Sequence, residues 1–313
     1  MRRKVLTVLA VLAVLVLIVG GAMTWLQRTE DGALPDVPGL TDEASPDDEP
    51  PAEPEQPAWC PRVEFISAPG TWESAPDDDP MNPQANPYSF MLSITQPLRE
   101  SYEPDDVKVW TLPYTAQFKN INAEHEMSYD ESRSEGTSRL NGELGYMNEE
   151  CPGTDFILAG FSQGAVIVGD VADQIGAGLG PVPADKIRGV ALVADGRREN
   201  GVGVNPGNPL SGIGAEIALE PVSNLVQVVV PGATMRGTRP HGFGELADRT
   251  MQFCAPNDSI CDAPQDISNA LGRALDLAAA DGVHAQYASN PNVIPGTTTP
   301  EWIVDWSHGL INQ

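Results

Sequence analysis

The stretch FILAGFSQGAVIVGDV, at residues 156–171, places a serine between two glycines, with an apolar run on either side. Residues 155–162 are almost continuously apolar, as in the buried middle strand of a parallel sheet. Residues 164–180 have apolar positions three and four apart, which is typical of a helix. The pentapeptide GFSQG fits the G-x-S-x-G pattern, in which a sharp strand-to-helix turn exposes the serine hydroxyl. The sequence therefore predicts that Ser162 is a catalytic nucleophile rather than an ordinary turn residue.

Strand-like and helix-like segments alternate through the rest of the chain. Strand patterns occur at residues 62–74, 107–114, 187–196 and 249–256, and helical patterns occur at 138–153 and at the start of 266–287. Alternating strands and helices imply crossover connections between parallel strands. The sequence therefore predicts a three-layer α/β domain with a central, mostly parallel sheet.

A glycine- and proline-rich insertion occupies about residues 199–245. It contains one apolar run, from Leu225 to Val230, which has the composition of a strand. Two interpretations remain open. The insertion is either a flap over a site or a peripheral excursion that adds an extra strand.

The first 27 residues predict a membrane segment. Three basic residues precede an uncharged apolar run over residues 5–26, which at about 22 residues is long enough to span a bilayer as a helix. A cleaved signal peptide usually has a shorter run and a clearer cleavage site, so we expect an uncleaved single-pass anchor. Because basic flanks stay in the cytoplasm, the remaining chain is expected outside the plasma membrane, or secreted if the segment is cleaved.

Residues 28–58 are rich in proline, aspartate and glutamate and contain few large apolar side chains. Such a segment cannot bury enough surface to fold, so it is predicted to be a disordered linker. The folded domain is expected at 59–313. The formal net charge of −26 argues against nucleic acid as a partner, since so acidic a chain repels phosphate.

A serine nucleophile needs a histidine base and a carboxylate that orients it. Three histidines follow the serine, and His284 is favoured because it lies in a small-residue loop after a helical run, although His241 and His308 remain open. For the acid, Asp258 directly follows a predicted strand, and Asp195 is its competitor.

The four cysteines all lie in the part of the chain expected outside the cell. An even number in that setting favours disulfides. Cys254 and Cys261 are close enough to close one loop, which would leave Cys60 to pair with Cys151. There is no C-x-x-C or H-E-x-x-H motif and the histidines are far apart, so we expect neither a metal site nor a cofactor.

Together, GFSQG after a buried strand, FCAPNDSIC and the later HAQY resemble the cutinases, in particular the actinobacterial cutinase-like proteins with an N-terminal membrane segment. The resemblance covers roughly residues 59–198 and 246–290. It implies an α/β-hydrolase fold, a catalytic triad of Ser162, Asp258 and His284, and the two disulfides named above. It also implies an oxyanion hole at Thr71 and Gln163.

The resemblance implies a serine esterase or lipase that hydrolyses lipid esters or thioesters at the cell envelope, in phospholipase A or thioesterase roles. The anchor, the acidic linker and the long insertion depart from small fungal cutinases. The catalytic domain is expected to be a monomer that takes an ester substrate. Two alternatives remain: an acyltransferase that moves a fatty or mycolic acyl group to a sugar, and an inactive envelope-binding domain.

Overall fold

The computed structural model describes residues 56–266, 269–279 and 282–313. The predicted membrane segment and most of the predicted linker lie outside these residues. Within the described ranges, no helix combines the length and apolarity needed to cross a membrane.

Five parallel strands form one sheet in the order β2-β1-β3-β4-β5. Their bounds are β1 Val63–Ala68, β2 Val107–Thr111, β3 Asp155–Phe161, β4 Ile187–Val193 and β5 Thr250–Phe253. Every residue of β1 is buried, because helices cover both faces of the sheet. The predicted parallel, three-layer α/β architecture is confirmed.

Seven α-helices accompany the sheet in the described residues. They are α1 Leu92–Ser101, α2 Tyr129–Glu150, α3 Gln163–Gly176, α4 Ala215–Ala218, α5 Ser223–Val229, α6 Ala270–Ala279 and α7 Thr299–Ile311. Helices α2 and α3 pack on one face of the sheet, where Leu140 and Ile167 meet Leu158 of β3. Helices α1 and α7 pack on the other face, where Ile94 and Ile303 share a core.

Helix α2 begins nine residues before the predicted helical segment at 138–153. Its start is fixed by Ser128, whose side chain accepts a hydrogen bond from the backbone of Glu131, while the Glu131 side chain accepts from the backbone of Ser128. This capping box satisfies two backbone donors at the helix start. The first turns are too polar for apolar spacing to reveal them, so only the cap signals the helix.

The extra strand considered for the insertion is not formed, because its apolar run is helix α5. Val226 and Val229, three positions apart, are buried in a small apolar cluster with Tyr129 and Met235. Valine favours strands in isolation, but here burial on one helical face decides the conformation. The cluster also contains Ala263 from the segment after β5, so it joins the insertion to the rest of the domain.

Candidate active site

Ser162 lies on the turn between β3 and α3, in a backbone conformation that few residues other than glycine adopt, with φ 53° and ψ −118°. The neighbouring glycines make the turn possible. A Cβ added at Gly164 would lie 2.0 Å from the Ala68 carbonyl oxygen, and one added at Gly160 would lie 2.4 Å from the Gly164 carbonyl oxygen. Strain of this kind persists only where the surrounding structure enforces it. The packing thus presents the serine hydroxyl at the sheet edge.

The structure brings Ser162, His284 and Asp258 within hydrogen-bonding distance. The Ser162 Oγ lies 2.9 Å from the His284 Nε2, and the His284 Nδ1 lies 3.0 Å from the Asp258 Oδ2. With Nδ1–H donating to the carboxylate, Nε2 is free to accept the serine proton. The imidazole also stacks on the Phe161 ring, at a centroid distance of 5.3 Å and an interplanar angle of 20°, which fixes its orientation.

Asp258 is held by more than the histidine. Its carboxylate accepts a hydrogen bond of 2.9 Å from the Ile260 backbone N–H and one of 2.7 Å from the Tyr287 hydroxyl. Burial by itself raises the pKa of Asp258, but the hydrogen bond and charge of His284, together with the hydrogen bonds from Tyr287 and the Ile260 N–H, bring the pKa below its usual value. The acid therefore stays ionised at neutral pH.

Tyr287 is a residue that sequence reasoning did not assign. Its hydroxyl donates to Asp258 and accepts from the Ala255 backbone N–H at 2.8 Å. Burial raises its pKa well above the usual value, so it remains a donor. It follows His284 by three positions, directly after the short helical turn Gly282–Gln286, and that spacing could have identified it.

Both predicted disulfides are present. Cys254 pairs with Cys261 and Cys60 pairs with Cys151. The first bond closes the short loop that carries Asp258. A loop closed by a disulfide loses less conformational freedom on folding, so the bond helps to hold the Asp258 carboxylate in place.

Thr71 and Gln163, predicted for the oxyanion hole, lie side by side. The Thr71 hydroxyl donates to the Gln163 Oε1 at 3.1 Å, and the Gln163 Nε2 donates to the Ser132 Oγ at 2.8 Å. Gln163 is the first residue of α3, where backbone N–H groups have no acceptor within the helix. Both residues line the same cavity as Ser162.

Glu73 anchors the loop that carries Thr71. Its carboxylate accepts hydrogen bonds from the Gly70 N–H at 3.1 Å, the Phe90 N–H at 3.0 Å and the Ser89 hydroxyl at 3.0 Å. Burial raises its pKa above the usual value. Sequence reasoning missed Glu73, because nothing in the local pattern marks an acid that binds a loop 17 residues away.

The other candidates for the catalytic base and acid contact residues outside the group around Ser162. The His241 Nδ1 is 2.9 Å from the Asp173 carboxylate, and the His308 Nδ1 is 2.7 Å from the Tyr102 hydroxyl. Asp195 is buried in an ion pair of 2.6 Å with Arg239. None of the three lines the cavity beside Ser162.

That cavity has a volume of about 190 Å³. It is bounded by the loop after β1, the start of α2, and the insertion. The insertion contributes Ala215, Glu216 and Met235 to its lining. This position agrees with the interpretation of the insertion as a flap over a site rather than a peripheral excursion.

A parallel sheet with a serine on the turn after its central strand, beside a histidine and an aspartate, defines an α/β-hydrolase. A family model described as Cutinase matches residues 59–290. Over 314 aligned residues, covering 99% of each protein, the chain is 60% identical to a carboxylesterase Culp6 homolog of Corynebacterium glutamicum. The chain belongs to the cutinase family, as predicted.

The fold is also similar to a solved structure of an acetyl xylan esterase. The TM-score is 0.51 and the identity 16%, over 80% of this chain and 99% of the other. At that identity the similarity concerns the fold alone. It agrees with the α/β-hydrolase architecture expected from the sequence.

Proposed function

We propose that this chain hydrolyses lipid carboxylic esters or thioesters, as a phospholipase A or thioesterase of the cell envelope, through an acyl-enzyme on Ser162. Membership in the cutinase family makes it a carboxylic ester hydrolase. The observation that carries the finer proposal is the 2.9 Å separation of the Ser162 Oγ and the His284 Nε2 at an apolar-lined cavity.

In the first half of the reaction, the Ser162 Oγ attacks the acyl carbonyl while the His284 Nε2 takes its proton. Asp258 holds the imidazolium through Nδ1–H. The N–H groups of Thr71 and Gln163 stabilise the negative oxygen of the tetrahedral intermediate, a contribution of about 3–4 kcal/mol for one donor. The intermediate collapses when His284 returns the proton to the leaving alcohol or thiol.

In the second half, water enters and His284 accepts one of its protons. The hydroxide attacks the acyl-enzyme carbonyl, and the proton passes to the Ser162 Oγ as the acid leaves. The net reaction consumes one water and releases one acid and one alcohol or thiol. Neither half requires a cofactor.

We further propose that residues 5–26 anchor the enzyme in the plasma membrane and that residues 28–58 hold a monomeric catalytic domain outside the cell. The two disulfides support an external location, since disulfides persist in oxidising compartments.

The function is tested with purified protein on p-nitrophenyl esters, phosphatidylcholine, acyl thioesters and a polyester. The wild type is expected to release acid from the lipid esters or thioesters in preference to the polyester. Changing Ser162→Ala is expected to lower kcat on the order of 10⁶-fold, because the nucleophile is lost. Equal turnover by the mutant would rule out the proposal.

The same assay separates the two alternatives. Adding a sugar acceptor to the reaction is expected to leave free acid as the main product. Acylated sugar as the main product would instead indicate a transferase. A folded wild type that turns over none of the substrates would indicate a binding domain.

A further inference from the structure

The cavity beside Ser162 has an apolar lining drawn from distant parts of the chain. Phe118, Val166 and Ile260 come from the domain itself, and Ala215 and Met235 come from the insertion. Met235 and Ala215 are buried, so they form the wall rather than the rim. The insertion therefore completes an apolar surface that the rest of the domain leaves open.

The polar side chains in this wall already have partners. The Tyr129 hydroxyl donates to the Glu216 Oε1 at 2.7 Å, and the Arg236 Nε donates to the Glu216 Oε2 at 3.0 Å. The Gln163 amide is bound to Thr71 and Ser132. A sugar or phosphate group entering the cavity would find few free partners away from the nucleophile. The lining instead suits a hydrocarbon chain.

The wall is also fixed in place. The Asp170 carboxylate on α3 accepts hydrogen bonds from Arg197 at 2.8 Å, Arg236 at 2.5 Å and Arg239 at 3.0 Å. Two of these arginines belong to the insertion, and Arg236 also binds Glu216 in the wall. The helix that begins next to Ser162 therefore carries the group that holds the insertion.

We propose that the insertion forms the acyl-chain pocket of this enzyme, and that Met235 and Ala215 set the length of the chain that it accepts. This inference rests on the proposed function. An apolar cavity of about 150 Å³ holds a six-carbon ring, so a cavity of about 190 Å³ holds roughly six to eight carbons. The substrate class is an ester or thioester of a medium-length fatty acid, and longer chains extend out of the mouth.

The test is the dependence of kcat/KM on chain length, using p-nitrophenyl esters from acetate to palmitate. The wild type is expected to have its optimum at hexanoate to octanoate. Met235→Ala removes three side-chain atoms and is expected to move the optimum two or three carbons longer, with the decanoate-to-hexanoate ratio rising roughly tenfold. Ala215→Leu adds three atoms and is expected to move the optimum to butyrate.

Opposite shifts are the signature of a pocket, because a loss of structural integrity would lower kcat/KM for every ester together. Val228→Ala is the matched control, since Val228 lies on the outer face of α5 and is 71% exposed. Its profile is expected to match the wild type. Ala215→Val, a smaller addition, replaces Ala215→Leu if the larger side chain prevents folding.

Profiles of the Met235 and Ala215 variants that keep the wild-type optimum would overturn the inference while leaving the proposed function intact. So would shifts of both optima in the same direction. Failure of the proposed function has a different appearance, namely a folded wild type that hydrolyses no ester of any length.

Discussion

The turn around Ser162 and the insertion at about residues 199–245 face each other across one cavity, but different forces hold them. The turn is fixed by apolar burial of β3 and by glycines that allow backbones to approach closely. The insertion shares a small apolar cluster with Tyr129, and it is fixed in addition by ion pairs, in which arginines converge on Asp170 and Glu216. In the function proposed above, the turn carries the nucleophile, and the insertion determines the shape of the pocket.

Among the variants that distinguish the roles of the two regions, Asp258→Asn is expected to have the largest effect, which is on kcat. The asparagine cannot hold the His284 tautomer that accepts the serine proton, so kcat is expected to fall about 10⁴-fold. The change keeps the side-chain volume, so the thermal transition should stay close to that of the wild type. Steady-state kinetics and calorimetry measure the two quantities. A variant with kcat within tenfold of the wild type would contradict the role of Asp258.

Asp170→Asn is expected to lower the stability of the protein while leaving most of its activity. Removing the carboxylate leaves the buried Arg197 without its ion-pair partner, whereas Arg236 and Arg239 keep Glu216 and Asp195. Breaking a buried pair in this way costs about 3 kcal/mol in the free energy of unfolding. The kcat for p-nitrophenyl acetate is expected to fall less than tenfold, because no catalytic group is touched. Urea unfolding and kinetics test this, with Asp305→Asn, an exposed position on α7, as control. Equal stability of the two variants would show that the ion pairs do not hold the insertion.

Lowering the pH is expected to have a smaller effect on the free energy of unfolding. Burial by itself raises the pKa of Asp170, but Arg239, Arg236 and Arg197 bring it below its usual value. The unfolded chain therefore binds this proton first, at a pH of about 4, and the free energy of unfolding falls as the pH drops below that value. In Asp170→Asn this part of the decline should be absent. Parallel pH profiles for wild type and variant would contradict the prediction.

The sequence was sufficient to predict the region around Ser162, because its determinants are local. A buried strand, two glycines and a helix follow one another directly. The position of Asp258 after a strand and of His284 after a helix only favoured them over the other candidates, and the resemblance to cutinases selected them. Tyr287 could have been predicted from its spacing of three residues from His284. The catalytic roles of these residues stay predictions until the variants are measured.

The pocket wall was not predictable in the same way. Tyr129, Asp170 and Met235 lie on separate elements, and their encounter depends on how the insertion folds. The valine-rich run in the insertion has the composition of a strand, and only its burial against α6 and Tyr129 makes it a helix. Helix α1 was missed because Pro97 lies inside it. Helix α7 was missed although Thr298 and Glu301 form a capping box.

The central claim is that Ser162 is a nucleophile activated by His284. The most direct measurement is incubation of the wild type with a fluorophosphonate probe, followed by mass spectrometry of the intact protein and its peptides. The account predicts one adduct per chain, located on Ser162, and no adduct in Ser162→Ala. An unmodified wild type, or an adduct that persists in the mutant, would contradict it.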